Sequence, residues 1–217
     1  MFVKICGITN REDALAAVDA GARALGFIFY SASPRHVMAE QLEPWVNEIP
    51  AEIWKVGVFV DEAPGVIERI GAQVGLDIAQ LHGCETPDRH PHGIRVWKAF
   101  RVKDAQASVP DYPDAEAILI DGEAYDWTRT THFTRPLILA GGLDENNVRD
   151  RIERAARAAP SRSRFRKPAM VQNRDREGAA TEWPGLWGVD VASGIESSPG
   201  RKDHARMKKF IEAALRS

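Results

Sequence analysis

Cysteine is scarce in this chain: Cys6 and Cys84 are the two thiols in 217 residues. They form no metal-ligand spacing of the CxxC kind, and no structural disulfide is expected between them. The opening MFVKICGITN lacks a basic stretch followed by an apolar run and a small-residue cleavage site, so no secretory leader is expected. No apolar run approaches the roughly 18 residues that span a bilayer. Neither charge sign dominates: the net charge is −2, which predicts no global affinity for nucleic acid or for an anionic membrane. The 44% hydrophobic content can fill a sizeable core, and the 28% charged residues give a solvated surface. A cytoplasmic, metal-free globular protein is the expectation, built as one large α/β domain or two small ones.

Short apolar runs of β character alternate with amphipathic stretches along the whole chain, an order that implies a parallel sheet. The strand candidates are FVKIC at 2–6, ALGFIF at 24–29, WKVGVFV at 54–60, LDIAQLHG at 76–83, IRVWKAF at 94–100, EAILID at 116–121, PLILAGG at 136–142 and GLWGVDVASG at 185–194. Helices are expected over 12–21, with Asn10 as cap and Gly21 as stop, and over 39–48, 63–74, 144–159 and 203–215. Weaker helical signals follow the fourth, fifth and sixth strands, near 86–87, 103–108 and 126–133. Eight strand–helix units favour a single (β/α)8 TIM barrel over an open doubly wound sheet, which shares the same local pattern.

One stretch breaks the spacing. Residues 160–186 stand between the seventh helix and the eighth strand, where two to six residues are usual. From Arg157 to Arg176 seven basic residues stand against one acidic residue, Asp175. An anion-contacting arm is one reading; a solvated, flexible insertion is the other. Helix-to-strand connections lie on the barrel face remote from the chemistry, which favours the second.

In a barrel the strand C-termini carry function, and residues two apart on a strand share a side. Lys4 and Cys6 therefore share a face, with Lys4 one layer deeper and Asp190 on the neighbouring strand as its acidic candidate. A cation so close is expected to lower the Cys6 pKa and raise its thiolate fraction. Asp121 ends the sixth strand across the barrel, so a thiolate and a carboxylic acid face each other as base and acid. Glycine-bearing loops follow the seventh and eighth strands, with Gly141–Gly142 in AGGL and Ser193–Gly194 in ASGIESSPG. Such loops let backbone N–H groups approach a phosphate closely. From the residues alone the reading is proton transfer on a phosphorylated sugar.

KICGIT (4–9), GFIFYSASPR (26–35), VGVFV (56–60), QLHG (80–83), AGGL (140–143) and VDVASGIESSPGRKD (189–203) resemble, in order, the successive signatures of the phosphoribosylanthranilate isomerase family. The resemblance implies an eight-stranded barrel that performs a cofactor-free Amadori rearrangement in tryptophan biosynthesis. The implied substrate is N-(5-phosphoribosyl)anthranilate and the product is 1-(2-carboxyphenylamino)-1-deoxyribulose 5-phosphate. It further implies Cys6 as general base, Asp121 as general acid and Arg35 as partner of the anthranilate carboxylate. The amides near Gly141, Gly142, Ser193 and Gly194 match the phosphate site, and Lys4, His82 and Asp190 line the pocket. The implied partner is a phosphorylated small molecule, with the chain a monomer or homodimer and no nucleic acid or membrane involved.

One segment departs from the family pattern. Family members carry a glycine-rich loop after the sixth strand that reads like GGTGKTFDW, whereas Asp121 here is followed directly by GEAYDW at 122–127. A shorter cover is expected to leave the site more open to water. Two other functions suit the same barrel: a related enzyme acting on another phosphorylated aminosugar, and a non-catalytic paralogue that binds a phosphorylated metabolite. The pairing of Cys6, Arg35 and Asp121 argues for catalysis, because binding alone needs no acid and base.

Overall fold

In the computed structural model, eight short strands run parallel and close on themselves: β1 (Phe2–Cys6), β2 (Ala24–Ile28), β3 (Trp54–Phe59), β4 (Ile78–Leu81), β5 (Arg95–Arg101), β6 (Ala117–Asp121), β7 (Leu137–Ala140) and β8 (Leu186–Val191). The structure describes residues 1–110, 112–130, 133, 135–158 and 186–216. Each strand pairs with its sequence neighbour, and β8 pairs with β1 through Lys4 opposite Asp190. That last ladder makes the sheet a closed barrel and removes the open-sheet alternative.

Alternation along the strands divides the core in two. Val3 and Ile5 face outward and pack with Ala14 and Ala17 of α1 (Arg11–Ala20) and with Phe210 and Ile211 of α5 (His204–Leu215). Each fully buried aliphatic side chain of this kind contributes about 1.5–3 kcal/mol. The barrel interior holds Ala24, Val56, Ile78, Ala99, Leu119 and Ile138, above an aromatic foot of Phe2, Trp54, Trp97 and Trp187. Phe2 stacks on Trp187 with ring centroids 4.1 Å apart, and Trp97 meets Trp187 edge-on at 5.8 Å. This foot plugs the lower end of the barrel, so the opening lies at the strand C-termini.

Helix ends follow the sequence signals where those are specific. Asn10 accepts a hydrogen bond from the Asp13 N–H at 2.9 Å, and Gly21 ends α1 in the left-handed region with φ 105°. Asp203 caps α5 through the N–H groups of Ala205 and Arg206. Other helix expectations need correction. The helix expected over 39–48 is interrupted: α2 (Ala39–Leu42) ends before Pro44, and Val46–Glu48 forms a separate 3-10 turn. The helix expected from Asp144 begins as α4 at Val148 (Val148–Ala158), because Asp144 and Asn147 exchange side-chain hydrogen bonds with each other's backbone. After α3 (Pro64–Val74), the described residues of the units following β4, β5 and β6 form no α-helix. Pro87–Arg89 and Trp127–Thr130 are 3-10 turns, and the segment 103–108 is irregular. Pro87, Pro91, Pro110 and Pro113 account for much of this by removing N–H donors and biasing their predecessors away from helix. The basic insertion expected at 160–186 lies outside the described residues, apart from Leu186 at the start of β8.

Candidate active site

Cys6 ends β1 beside Gly26 of β2. A Cβ at position 26 would stand 2.8 Å from Cys6 Sγ and 3.1 Å from Lys4 Cε, so glycine leaves the room both side chains need. Lys4, with 0% exposure, lies below the thiol and donates from Nζ to Asp190 Oδ1 at 2.9 Å. Burial alone would discharge this lysine, but Asp190 and Cys6 outweigh it and leave the Lys4 pKa above its ordinary value. For Cys6 the balance goes the other way. Burial pushes the thiol pKa up, Asp190 adds to the rise, and the opposing pull of Lys4 is the smaller effect. The expectation that Lys4 would leave Cys6 easily ionised is thus corrected: Lys4 does lower the thiol pKa, but burial outweighs it, and the thiol is the resting form.

Arg35 arrives from the loop after β2, which folds back so that Val37 N–H donates to Ile28 O at 2.9 Å. Its guanidinium grips Glu196 of β9 (Glu196–Ser198), with Nη2 2.6 Å from Oε2 and Nε 2.8 Å from Oε1. Lys202 of β10 (Arg201–Lys202) closes the cluster, its Nζ 2.8 Å from Glu196 Oε1. Burial works against ionising Glu196, yet Arg35 and Lys202 hold its carboxyl below the usual range.

Across the mouth, Asp121 ends β6 with Oδ2 3.4 Å from His82 Nε2 and 3.6 Å from Arg101 Nε. His82, and then Arg101, hold the Asp121 carboxyl below its ordinary range against the opposing effect of burial. His82 is itself steadied from below and behind. Gln80 Nε2 lies 3.4 Å from its Nδ1. The buried Lys98–Glu85 pair, at 2.6 Å, fixes the next residue, because Gly83 N–H donates to Glu85 Oε2 at 2.9 Å.

The two glycine loops come together at the ends of β7 and β8. Gly141 and Gly142 adopt φ 86° and 62°, and a Cβ on Gly194 would collide with the Leu143 carbonyl, so one loop rests on the other. The shortened loop after β6 reaches the same place. The Glu123 carboxylate occupies the space that a side chain at 142 would fill.

A cavity of about 650 Å³ gathers most of these groups. Cys6, Arg35, His82, Asp121, Gly141, Gly142, Asp190 and Ser193 all line it. Lys4 lies beneath that lining, bonded to Asp190, and Gly194 packs against the Leu143 carbonyl outside the lining. The sequence reading gave no role to Arg101, Gln80, Glu123, Glu196 or Lys202. Arg101 directly follows Phe100 at the end of β5, and Gln80 stands on β4 two residues before His82, both readable from strand position; Glu123, Glu196 and Lys202 act through contacts distant in sequence that no periodicity reveals. Among the described residues no group of His, Cys, Asp and Glu could hold a metal ion, and no helix is long and apolar enough to cross a membrane.

The family model for N-(5'-phosphoribosyl)anthranilate (PRA) isomerase matches residues 3–213. N-(5'-phosphoribosyl)anthranilate isomerase of Solibacter usitatus is 38% identical over 225 residues, covering 99% of this chain and 97% of the relative. Among solved structures, a phosphoribosyl anthranilate isomerase in complex with reduced 1-(o-carboxyphenylamino)-1-deoxyribulose 5-phosphate superposes with a TM-score of 0.76 at 34% identity, over 100% of both chains. Monomers generated from the dimeric isomerase of Thermotoga maritima give 0.73 at 34% identity, over 99% of this chain and 98% of theirs. With a family match from the first strand to the last helix, on a closed eight-stranded barrel, the chain belongs to the N-(5'-phosphoribosyl)anthranilate isomerase family.

Proposed function

We propose that the cavity binds N-(5'-phosphoribosyl)anthranilate and converts it to 1-(2-carboxyphenylamino)-1-deoxyribulose 5-phosphate, with Asp121 as general acid and Cys6 as general base. The observation that carries the reading is the single cavity lined by a thiol, a carboxyl, an arginine and two glycine-bearing loops. It matches a ligand with a phosphate at one end, an aromatic carboxylate at the other and a sugar between them. The amides of Gly141, Gly142 and Ser193 are assigned to the phosphate, and Arg35 to the carboxylate.

Asp121 gives its proton to the furanose ring oxygen as the C1–O bond breaks, and the anilino nitrogen lone pair forms the C1=N bond of an iminium. Cys6 thiolate then removes the proton from C2. The C2–H electrons form C1=C2, the C1=N electrons return to nitrogen, and an enolamine results. C1 then takes up a proton as the C2 hydroxyl loses its own: the C1=C2 electrons form the C1–H bond and the O–H electrons form C2=O, giving the ketone. These steps need Asp121 protonated and Cys6 ionised, the reverse of the resting forms that their surroundings favour. The working form therefore differs from the resting one by a single proton moved from Cys6 to Asp121.

No cofactor enters this scheme. We assign the enzyme to tryptophan biosynthesis in the cytoplasm, acting on a phosphorylated small molecule as a monomer or homodimer. The test is the decay of substrate fluorescence on adding purified protein. Catalysed decay with conversion to the ketose supports the assignment, and an unchanged trace at high enzyme concentration overturns it.

A further inference from the structure

Arg35 is a long, rotamer-rich side chain, and an arginine that must find its carboxylate from disorder loses affinity to ordering. Here it is already ordered. Glu196 occupies the Nε–Nη2 edge of the guanidinium, with contacts of 2.8 Å, 3.1 Å and 2.6 Å. The remaining Nη1 makes no hydrogen bond among the described residues, while Arg35 lines the cavity. Glu196 cannot readily follow a departing Arg35. Lys202 holds its Oε1 at 2.8 Å and is itself tied to the Ala192 carbonyl at 3.1 Å, and Arg206 holds the Glu196 backbone carbonyl at 3.1 Å. The stem of Arg35 crosses Gly7, whose φ is 71° and where a Cβ would stand 2.6 Å from Arg35 Cδ. Gly7 directly follows Cys6, so the guanidinium is aimed from beside the thiol.

We propose that Glu196 is a positioning residue: it presents the free end of Arg35 to the aromatic carboxylate of the ligand while Lys202 anchors Glu196. The inference rests on the reading of Arg35 given above. A fixed guanidinium end accepts a carboxylate in one orientation, with little ordering left to do when the ligand arrives.

Glu196→Gln weakens the charged grip on Arg35, and Glu196→Asp keeps the charge but shortens its reach. Both are compared with Arg35→Lys for binding of two ligands: the reduced product analogue with its ortho carboxylate, and the N-phenyl counterpart without it. Expected for both Glu196 variants is roughly tenfold weaker binding of the carboxylated ligand, unchanged binding of the N-phenyl ligand, and a raised KM with kcat within about threefold of the parent. Equal weakening of both ligands would mean a merely structural role and overturn the inference. So would unchanged discrimination in the Glu196 variants when Arg35→Lys loses it, although the Arg35 reading would then stand. Full discrimination in Arg35→Lys would overturn that reading and this inference together.

Discussion

The two sides of the mouth are built differently. On the Cys6 side, charges are buried and bonded in closed groups: Lys4 with Asp190, and Glu196 with Arg35 and Lys202. On the Asp121 side, the carboxyl meets His82 and Arg101 at 3.4 Å and 3.6 Å, under a loop only a few residues long. Both sides carry cations near the reacting group, yet the proton affinities move in opposite directions. Depth decides the outcome at Cys6, where burial exceeds the effect of a paired lysine, and neighbours decide it at Asp121. The paired lysine still pulls the Cys6 pKa down, but less than burial pushes it up.

The largest effects should come from removing either member of the acid–base pair. Cys6→Ala and Asp121→Asn are each expected to lower kcat by on the order of 10³-fold with the circular dichroism spectrum unchanged. Near-full turnover in either would show that the two sides do not divide the chemistry as assigned. His82→Gln sharpens the comparison through pH. The Asp121 pKa is held low chiefly by His82, so its removal raises that pKa and moves the acid limb of kcat/KM toward higher pH. An unmoved limb would mean that Asp121 does not titrate in that limb.

Smaller effects are expected farther from the reacting atoms. Glu123 places a negative charge against the glycine loop assigned to phosphate, so Glu123→Gln should lower KM by roughly two- to fivefold, an effect that shrinks with added salt. A raised KM would show that the carboxylate supports the loop instead of repelling the ligand. Deleting residues 160–182 should leave kcat/KM unchanged, and a large loss would overturn the assignment of that segment to the remote face.

Strand order and the gathering of Cys6, Asp121 and the glycine loops were legible because strand alternation and strand-end position are written locally; barrel closure rested on the count of eight units, since an open sheet shares the local pattern. The bare flank after β4, β5 and β6 was less legible, since weak amphipathic stretches between prolines look alike whether or not they close a helical turn. Glu196 and Lys202 lie inside the motif VDVASGIESSPGRKD, where local sequence assigns neither a contact. Their role depends on a short β9–β10 hairpin folding over Arg35, a contact spanning 161 positions in the chain. The sign of the Cys6 shift was not legible either. A neighbouring lysine can be read from a sequence, whereas the depth at which both groups lie cannot.

The aromatic foot has an optical consequence. Trp54, Trp97 and Trp187 place three of the six indoles within about 6 Å of one another, beneath the mouth that Arg35 lines. Such a tight group shares its excitation, and an anthranilate held above it is a natural acceptor for the emitted energy. Indole emission from the foot should therefore dim as ligand fills the mouth, while emission sensitised from the ligand grows. The barrel carries its own lamp at one end and its sample chamber at the other.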